Sequence, residues 1–283
     1  MKKLLLTGGT GFVGRNILPI LREKYDVSAP TRTELNLSDE NAVRSYLENE
    51  RFDFVFHCAN PTPAKNPLDS FDRLGIDSLR VYSVLRRCSD LFGKMFYLGS
   101  GAEFDKRFDI VSVKEENISD RLPNDDYGFA KYLMNRDACH SENIYNLRIF
   151  GCYGPTDAKT KFIRDAIDCC LENRAITIRQ NCIFDYMYVE DLAYIACKLI
   201  EKERLAFHDY NVCSGKRISL LEIAETVKKQ MNNPYPIEIA KDGWNKEYTG
   251  DNSRLLKEIP DFLFTPIEEG IARQIKWQKE TYK

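Results

Sequence analysis

The sequence predicts an α/β protein built on a doubly wound parallel sheet, followed by a smaller α/β lobe. Strand and helix signals alternate through the first half of the 283 residues, as expected for parallel strands joined by right-handed crossovers. A glycine-rich turn joins the first strand to the first helix. After Gly154-Pro155 the alternation becomes less regular, which indicates the second unit.

The strands of the first half are predicted from short apolar runs that suit a buried parallel sheet. In chain order these runs lie at 4–6, 26–29, 54–57, 94–98 and 145–150. Helical spacing of apolar residues predicts the helices between them, at 16–21, 38–49, 74–91 and about 127–140. In the second half, the same signal predicts helices at 161–172, 191–202, 220–231 and 266–279.

The glycine-rich turn, residues 7–14 (TGGTGFVG), predicts a dinucleotide site. Its glycines at positions 8, 11 and 14 have G-x-x-G-x-x-G spacing, after a strand and before a helix. Without Cβ atoms the backbone can approach a pyrophosphate, and the helix N-terminus favours its charge. The alternative is a glycine-rich turn that binds nothing, which the position after the first strand disfavours.

Composition excludes several classes of partner. A formal charge of -2 gives no reason to expect nucleic acid or an anionic membrane as a partner. Nine cysteines without C-x-x-C and three histidines without metal-ligand spacing predict reduced thiols and no metal site. No apolar stretch approaches the ~20 residues of a membrane span, so we expect a cytoplasmic protein.

A candidate catalytic group follows from residue spacing. Tyr127 and Lys131 are four apart on a predicted helix and share a face, where the ammonium would lower the pKa of the phenol. Such a phenol can exchange a proton at neutral pH while a hydride moves elsewhere. Ser100 follows a predicted strand, where its hydroxyl can reach a substrate oxygen. The alternatives are a surface helix carrying Tyr and Lys by chance, and a serine that caps a turn.

With these motifs the chain resembles the extended short-chain dehydrogenases/reductases of the NAD-dependent epimerase/dehydratase family, which act on nucleotide sugars. The stretch 99–104 (GSGAEF) stands for the family's S-S-x-x-V-Y-G, and the resemblance continues through 148–155, 184–193 and 211–215. The stretch 31–39 and residues 98–100 look most like GDP-fucose synthase-like reductases. The resemblance implies a Rossmann-type sheet in residues 1–155, joined by 187–213, and a substrate lobe in 156–283.

The resemblance also implies the roles of the site residues. Tyr127 would be the acid/base, Lys131 would hold the nicotinamide ribose and lower the pKa of Tyr127, and Ser100 would hydrogen-bond the reacting carbonyl or hydroxyl. The pyrophosphate would lie on Gly8, Gly11 and the backbone of Phe12 and Val13. The remaining residues expected along the cofactor are Arg32, Asn36, Leu37 and Ala59.

Cofactor choice depends on the end of the second strand. NAD-preferring proteins place an Asp or Glu there for the ribose 2′-hydroxyl, but 29–32 (APTR) has no acid until Glu34. Because a nearby arginine accommodates a 2′-phosphate, Arg32 favours NADP, with NAD possible. Arg15 is a second candidate, and a solvated loop residue is the alternative interpretation of Arg32.

Departures from the family pattern narrow the expected reaction. Gly101 and Ala102 stand where dehydratases carry an Asp-Glu pair, and Ala102 stands where GDP-fucose synthases carry a cysteine. The reaction that remains is hydride transfer at C4 of a nucleotide-linked deoxysugar, and the enzyme expected for it is a 4-ketoreductase. One alternative is a 4-epimerase with tightly bound NAD, and another is a non-catalytic NAD(P)-binding regulatory protein.

The residues expected to bind the substrate differ further from the family pattern. Epimerases hold the substrate diphosphate with an Asn and an Arg where this chain has Gly151 and Phe184, and their third arginine corresponds to Lys241. Lys241, Ser100 and Tyr127 are therefore the expected substrate residues, with Lys161, Arg179 and Arg254 as possible replacements for the lost cations. Relatives often dimerise through two helices, here 74–91 and 127–140. Val81, Val84, Leu85 and Leu133 are candidates for that homodimer face, and a core position suits them equally well.

Overall fold

The computed structural model describes residues 1–60 and 72–282. Its strands are β1 (Lys3–Thr7), β2 (Asp26–Ser28), β3 (Phe52–His57), β4 (Phe92–Ser100), β5 (Ile110–Val113), β6 (Ile144–Ile149), β7 (Gly151–Tyr153), β8 (Ile176–Asn181), β9 (Ile183–Phe184), β10 (Tyr186–Tyr188), β11 (Asp209–Val212), β12 (Ile218–Ser219), β13 (Ile237–Trp244) and β14 (Tyr248–Gly250). Its helices are α1 (Phe12–Arg22), α2 (Glu40–Glu50), α3 (Asp72–Arg87), α4 (Asp126–Ala138), α5 (Phe162–Leu171), α6 (Val189–Glu201), α7 (Leu220–Met231), α8 (Ser253–Glu258) and α9 (Ile267–Thr281). Within these residues no helix is long and apolar enough to cross a bilayer.

A six-stranded parallel sheet forms the centre, in the order β11-β6-β4-β3-β1-β2. The chain passes from β1 to β2 on one side and then to β3 on the other, so a topological switch point lies between β1 and β3. Ligands bind at such a point, beyond the carboxyl ends of the strands. The predicted α/β fold is confirmed.

Helices cover both faces of this sheet. On one face α1 and α6 pack together, with Ile17, Leu21 and Leu199 buried against the strands. On the other face α2, α3 and α4 contribute a second apolar cluster. Val81, Val84 and Leu85 are buried on α3, so these three candidates for a homodimer face are part of the core. Leu133 on α4 remains exposed.

The second half builds a smaller α/β unit around its own core. Helices α5, α7 and α9 pack together on the two-stranded sheet of β8 and β13, around Ile178, Ile223 and Ile271. A four-stranded sheet, β12-β9-β14-β5, combines strands from both halves of the chain. Strand β11 and helix α6, from the segment 187–213, lie with the large sheet. The domain boundary at residue 155 stays a prediction.

Candidate active site

The glycine turn brings β1, β3 and the start of α1 into close contact. Gly8 has a φ of +75°, and a Cβ atom there would stand 2.6 Å from the backbone nitrogen of Ala59. A Cβ atom on Gly14 would stand 2.2 Å from the carbonyl oxygen of Gly8. Helix α1 begins at Phe12, and Gly11 gives it no side-chain cap. The first N–H groups of α1 therefore suit an anion, and the turn fits a pyrophosphate.

A cavity of about 630 Å³ opens in front of this turn. Such a volume is within the range of small-molecule sites. Its wall includes every predicted cofactor residue outside the catalytic group, namely Gly8, Gly11, Phe12, Val13, Arg32, Asn36, Leu37 and Ala59. Lys161, one of the cations considered for the substrate, also lines it. The structure thus collects these residues around one space, and their contacts with a cofactor stay a prediction.

The loop after β2 contains the residues considered for recognition of the cofactor. Arg32 is exposed in the cavity wall, while the nearest acid, Glu34, is turned back onto the loop. The Glu34 carboxylate accepts hydrogen bonds from the backbone N–H of Thr31 at 2.7 Å and from its hydroxyl at 2.8 Å. The other candidate arginine, Arg15, donates to the carbonyl of Thr10.

The predicted catalytic residues meet at the carboxyl end of β4. Ser100 is the last residue of that strand, and its side chain lies close enough to Tyr127 to affect the phenol pKa. Tyr127 lies in the first turn of α4, where Asp125 caps the helix by accepting the Gly128 N–H at 2.9 Å. Lys131 follows one turn later, with its Nζ 5.8 Å from the centre of the Tyr127 ring. Tyr127 and Lys131 therefore share one face of α4, as their spacing predicted.

The electrostatics of the group differ from the expectation. Burial raises the pKa of Tyr127 to about 12, and the nearby Ser100 hydroxyl opposes this increase without overcoming it. The Nζ of Lys131 donates to the carbonyl of Leu98 at 2.8 Å, and the expected effect of this lysine on the phenol pKa stays a prediction. Burial lowers the pKa of Lys131 itself to about 8, so the amine is mostly protonated at neutral pH. Both groups thus keep their protons at neutral pH, the state in which a phenol serves as an acid.

A buried carboxylate that the sequence analysis did not single out fixes the backbone of Ser100. Glu103 is fully buried and accepts the Ser100 N–H at 2.9 Å, while the Ser100 hydroxyl accepts the Ala102 N–H. Its other oxygen pairs with Nε of Arg148 at 2.7 Å. Arg148 in turn reaches Asp209 on β11, which ties three neighbouring strands together. The signal was available in the sequence, because S-x-x-E is the pattern of a capping box.

A second phenol, Tyr248 on β14, was also missed. A Cβ atom on Gly101 would stand 2.5 Å from its hydroxyl, and its ring lies 5.3 Å from that of Phe150 and 5.7 Å from that of Phe184. The family's third arginine precedes a Gly-Asp pair, and such a pair, Gly250-Asp251, begins two residues after Tyr248. That pair was the signal that could have directed attention to this position.

The other positions considered for the substrate, Gly151, Phe184 and Lys241, lie on separate strands. Lys241 is exposed on β13, where it pairs with Gln180 of β8. Its role in substrate binding stays a prediction. A Cβ atom on Gly151 would stand 2.5 Å from the carbonyl oxygen of Asp185, so this backbone has no room for an asparagine there. Of the replacement cations, Arg254 is paired with Asp209, and Arg179 is exposed on β8.

Comparison with known proteins agrees with this geometry. The model of the NAD dependent epimerase/dehydratase family matches residues 4–213. The chain is 27% identical to a GDP-L-fucose synthase of Azorhizobium caulinodans, over 89% of this chain and 85% of the relative. It is 26% identical to a GDP-6-deoxy-D-talose 4-dehydrogenase of Aggregatibacter actinomycetemcomitans, over 97% of each chain. Among solved structures, a GDP-mannoheptose C4 reductase of Campylobacter jejuni with NADP bound has a similar fold, with a TM-score of 0.84 and 17% identity, covering 98% of each chain.

Proposed function

Because the chain belongs to the NAD-dependent epimerase/dehydratase family, we propose that it is a 4-ketoreductase acting on a nucleotide-linked deoxysugar. The observation that carries the proposal is the meeting of Ser100 at the end of β4 with Tyr127 and Lys131 on α4, beside Gly101 and Ala102. The last two positions have no titratable side chain, and Glu103 is held by Arg148. Among the residues that the structure describes, the site therefore has one acid for the reacting oxygen and none for elimination or for epimerisation at a neighbouring carbon. The names of two similar proteins, a 4-dehydrogenase and a C4 reductase, support the same position on the sugar.

Each residue of the group has a distinct part in this reaction. NADP(H), when bound, supplies the hydride. Tyr127 donates its proton to the C4 oxygen, and Ser100 holds that oxygen by a hydrogen bond. The charged Lys131 lies one helical turn away and stabilises the phenolate that Tyr127 becomes. The buried Glu103 keeps Ser100 in place through its backbone N–H.

NADP is the proposed cofactor in preference to NAD. Arg32 lies in the wall of the cavity at the end of β2, where a 2′-phosphate is recognised. The nearest carboxylate, Glu34, is occupied by Thr31 and is not directed at a ribose 2′-hydroxyl. NADP-bound relatives of the same fold are consistent with this choice.

A panel of nucleotide-activated 4-keto sugars, each with NADPH and with NADH, tests the proposal through the absorbance of the reduced nicotinamide. We expect oxidation of NADPH with at least one sugar and a slower reaction with NADH. Tyr127→Phe should lower kcat about a thousandfold, because the proton donor is lost while the ring remains. NADPH binding, followed by its fluorescence, should be unchanged in this variant. Equal activity of Tyr127→Phe and the wild type would contradict the catalytic role.

Two alternative functions predict different results in these experiments. A 4-epimerase would retain NAD through purification, and the nucleotide would be released on denaturation, whereas a reductase exchanges its cofactor. A non-catalytic NAD(P)-binding protein would bind NADPH without oxidising it in the presence of any sugar. The intact group of Ser100, Tyr127 and Lys131 favours an enzyme over this last function.

We also propose a homodimer formed through α3 and α4. These two helices pack side by side and present apolar side chains to solvent at Ile76, Phe129 and Leu133. Leu133 is the only one of the four residues first considered that remains available for such a contact. A second copy related by a two-fold axis would cover the same face on both protomers.

A further inference from the structure

The described neighbours of Glu103 use all of its hydrogen-bond acceptor positions. Its Oε1 accepts the N–H of Ser100 at 2.9 Å and lies 3.1 Å from Nδ2 of Asn146. Its Oε2 accepts from Nε of Arg148 at 2.7 Å and lies 3.0 Å from the same nitrogen of Asn146. An ionised carboxylate has about four acceptor positions, two on each oxygen. The four contacts therefore occupy the whole carboxylate.

The amide of Asn146 supplies two of these four contacts. Asn146 is fully buried on β6, where it is paired with Tyr97 of β4. Its nitrogen, and not its oxygen, must face Glu103, because an ionised carboxylate only accepts hydrogen bonds. Without this amide, each oxygen of Glu103 would have one free acceptor position.

A second serine–glutamate pair shows what a glutamate with free acceptor positions does. Ser219 caps α7, and its N–H donates to Oε2 of Glu222 at 2.8 Å, as the N–H of Ser100 does to Glu103. In both pairs the serine Oγ accepts a backbone N–H of the following turn. Among the described residues, however, the Glu222 carboxylate accepts only from Ser219, and it also takes the Ser219 hydroxyl proton at 2.6 Å.

The Ser100 hydroxyl differs from that of Ser219 in this respect. Within the described part of the chain it does not bond to its glutamate, and its Oγ accepts the N–H of Ala102 at 3.1 Å. A serine hydroxyl has one proton and two lone pairs, so this bond uses one lone pair and leaves the proton. The proton is thus available for a ligand at the carboxyl end of β4.

We propose that Asn146 keeps the Ser100 proton free for the C4 oxygen of the substrate, by occupying the acceptor positions of Glu103 that would otherwise take it. Glu103 then holds the backbone of Ser100 without binding its hydroxyl. Asn146 is a positioning residue, because it acts on Ser100 only through Glu103. The assignment rests on the proposed role of Ser100 as a hydrogen-bond donor to the reacting oxygen.

The first test compares crystal structures of the wild type and Asn146→Leu, both without cofactor or substrate. In the wild type, we expect Oγ of Ser100 to lie beyond hydrogen-bond distance of both Glu103 oxygens. In the variant, it should lie within about 2.8 Å of one of them, as in a charge-assisted hydroxyl bond. The pair of Ser219 and Glu222 in the same crystals is the reference for a bound hydroxyl. Asn146→Met, with an unbranched side chain, gives the same test if leucine does not allow folding.

The second test is turnover with the 4-keto sugar of the panel that the wild type reduces fastest. Asn146→Leu should lower kcat about tenfold and leave KM within about threefold, because one hydrogen bond to the reacting oxygen is lost. Asn135→Leu is the matched control. Asn135 is also fully buried, and its side chain contacts the Asn146 amide at 2.9 Å. Its replacement removes a neighbouring buried amide and leaves Asn146 on Glu103, so kcat and the Ser100–Glu103 distance should stay as in the wild type.

Three results would overturn the assignment. One is a Ser100 hydroxyl already bonded to Glu103 in the wild-type crystal, and another is a hydroxyl that stays away from Glu103 in both Asn146 variants. The third is an equal kcat for Asn146→Leu and Asn135→Leu. The crystal distances are independent of turnover, so they decide what Asn146 does to the hydroxyl even if no 4-keto sugar is reduced. In that case the proposed function fails separately.

Discussion

Asp157 lies in the wall of the cavity in front of the glycine turn, with only 7% of its surface exposed. Burial raises the pKa of its carboxyl to about 6, although the Ala158 N–H and the nearby Lys161 act in the opposite direction. A group with a raised pKa in the folded state stabilises the fold below its unfolded pKa. That stabilisation is lost as the pH rises through about 6. Above this pH, the buried charge costs up to about 3 kcal/mol.

Asp157→Asn should therefore increase the free energy of unfolding above about pH 6 by about 1–3 kcal/mol. The amide keeps the hydrogen bond from Ala158, which is 2.8 Å long in the wild type, and carries no charge. Urea unfolding across the pH range, without cofactor, measures the effect. Near pH ~4 the two proteins should have similar stability, because both side chains are then neutral. Parallel pH curves would rule out this role, and Asp261→Asn at an exposed position controls for the loss of a surface carboxylate.

At this scale the sequence was most informative where neighbours in the chain are neighbours in space. Tyr127 and Lys131 share a helix face because of their spacing, and Gly8 and Gly11 share one turn. The pKa of Tyr127 could not be predicted in the same way, because the burial that raises it comes from the packing of distant segments. Tyr248 was missed for the same reason. It is 148 positions after Ser100 along the chain and reaches it only through the pairing of β14.

Helix α9 contains an unusual buried residue. Gln274 is fully buried, and neither atom of its amide has a hydrogen-bond partner among the described residues. A buried amide without partners costs free energy relative to an apolar group of the same size. On the same helix, Gln278 is also buried but donates to Asp168 at 2.8 Å.

Gln274→Met should increase the free energy of unfolding by about 1–3 kcal/mol, since methionine keeps the shape and removes the orphaned polar atoms. Denaturant unfolding gives the value directly. Gln278→Met is the matched substitution one turn later, and it should destabilise the protein because it breaks an existing hydrogen bond. If both variants lost stability, the Gln274 amide would have a hydrogen-bond partner in solution, and the prediction would be wrong.

The sequence predicted the long helices more accurately than the short strands. The helix predicted at 220–231 coincides with α7, and the other long helices differ by a few residues at their ends. Helix α1 begins four residues before the predicted start because the glycine turn leads directly into it. The short strands β9, β12 and β14 had no periodic signal of their own. They exist because distant segments pair with them, and β14 is the strand that carries Tyr248 to the site.

At the scale of the whole molecule, the α3–α4 face gives the remaining prediction. The wild type should sediment as a dimer, and Leu133→Asp should weaken the association about tenfold or more by placing a charge in an apolar contact. Tyr194→Asp changes an equally exposed apolar residue on α6, away from this face, and should sediment like the wild type. A monomeric wild type, or a Leu133→Asp protein that dimerises as well as the wild type, would be inconsistent with the proposed interface.

The overall architecture could be predicted because it depends on repeated local signals. Alternating strands and helices, together with the glycine turn, were sufficient to predict the doubly wound parallel sheet. The arrangement of the substrate side could not be predicted, because Phe184 and Tyr248 pair on the short strands β9 and β14 of one sheet, whereas Lys241 lies on β13 of another sheet. Their mutual positions follow from how those sheets pack, for which the sequence contains no periodic signal.

The buried position of Glu103 has a consequence for which side chains the strand before it can carry. A Cβ atom on Gly99 would stand 2.4 Å from Oε1 of Glu103 and 1.9 Å from Oδ1 of Asn146. The family pattern has serine at position 99 and valine where Glu103 stands. A serine at 99 would therefore require the side chains of Glu103 and Asn146 to move. Gly99 thus leaves the space that the Glu103 carboxylate occupies while it accepts the N–H of Ser100, so a substitution at this neighbouring strand position would reach Ser100 through the carboxylate.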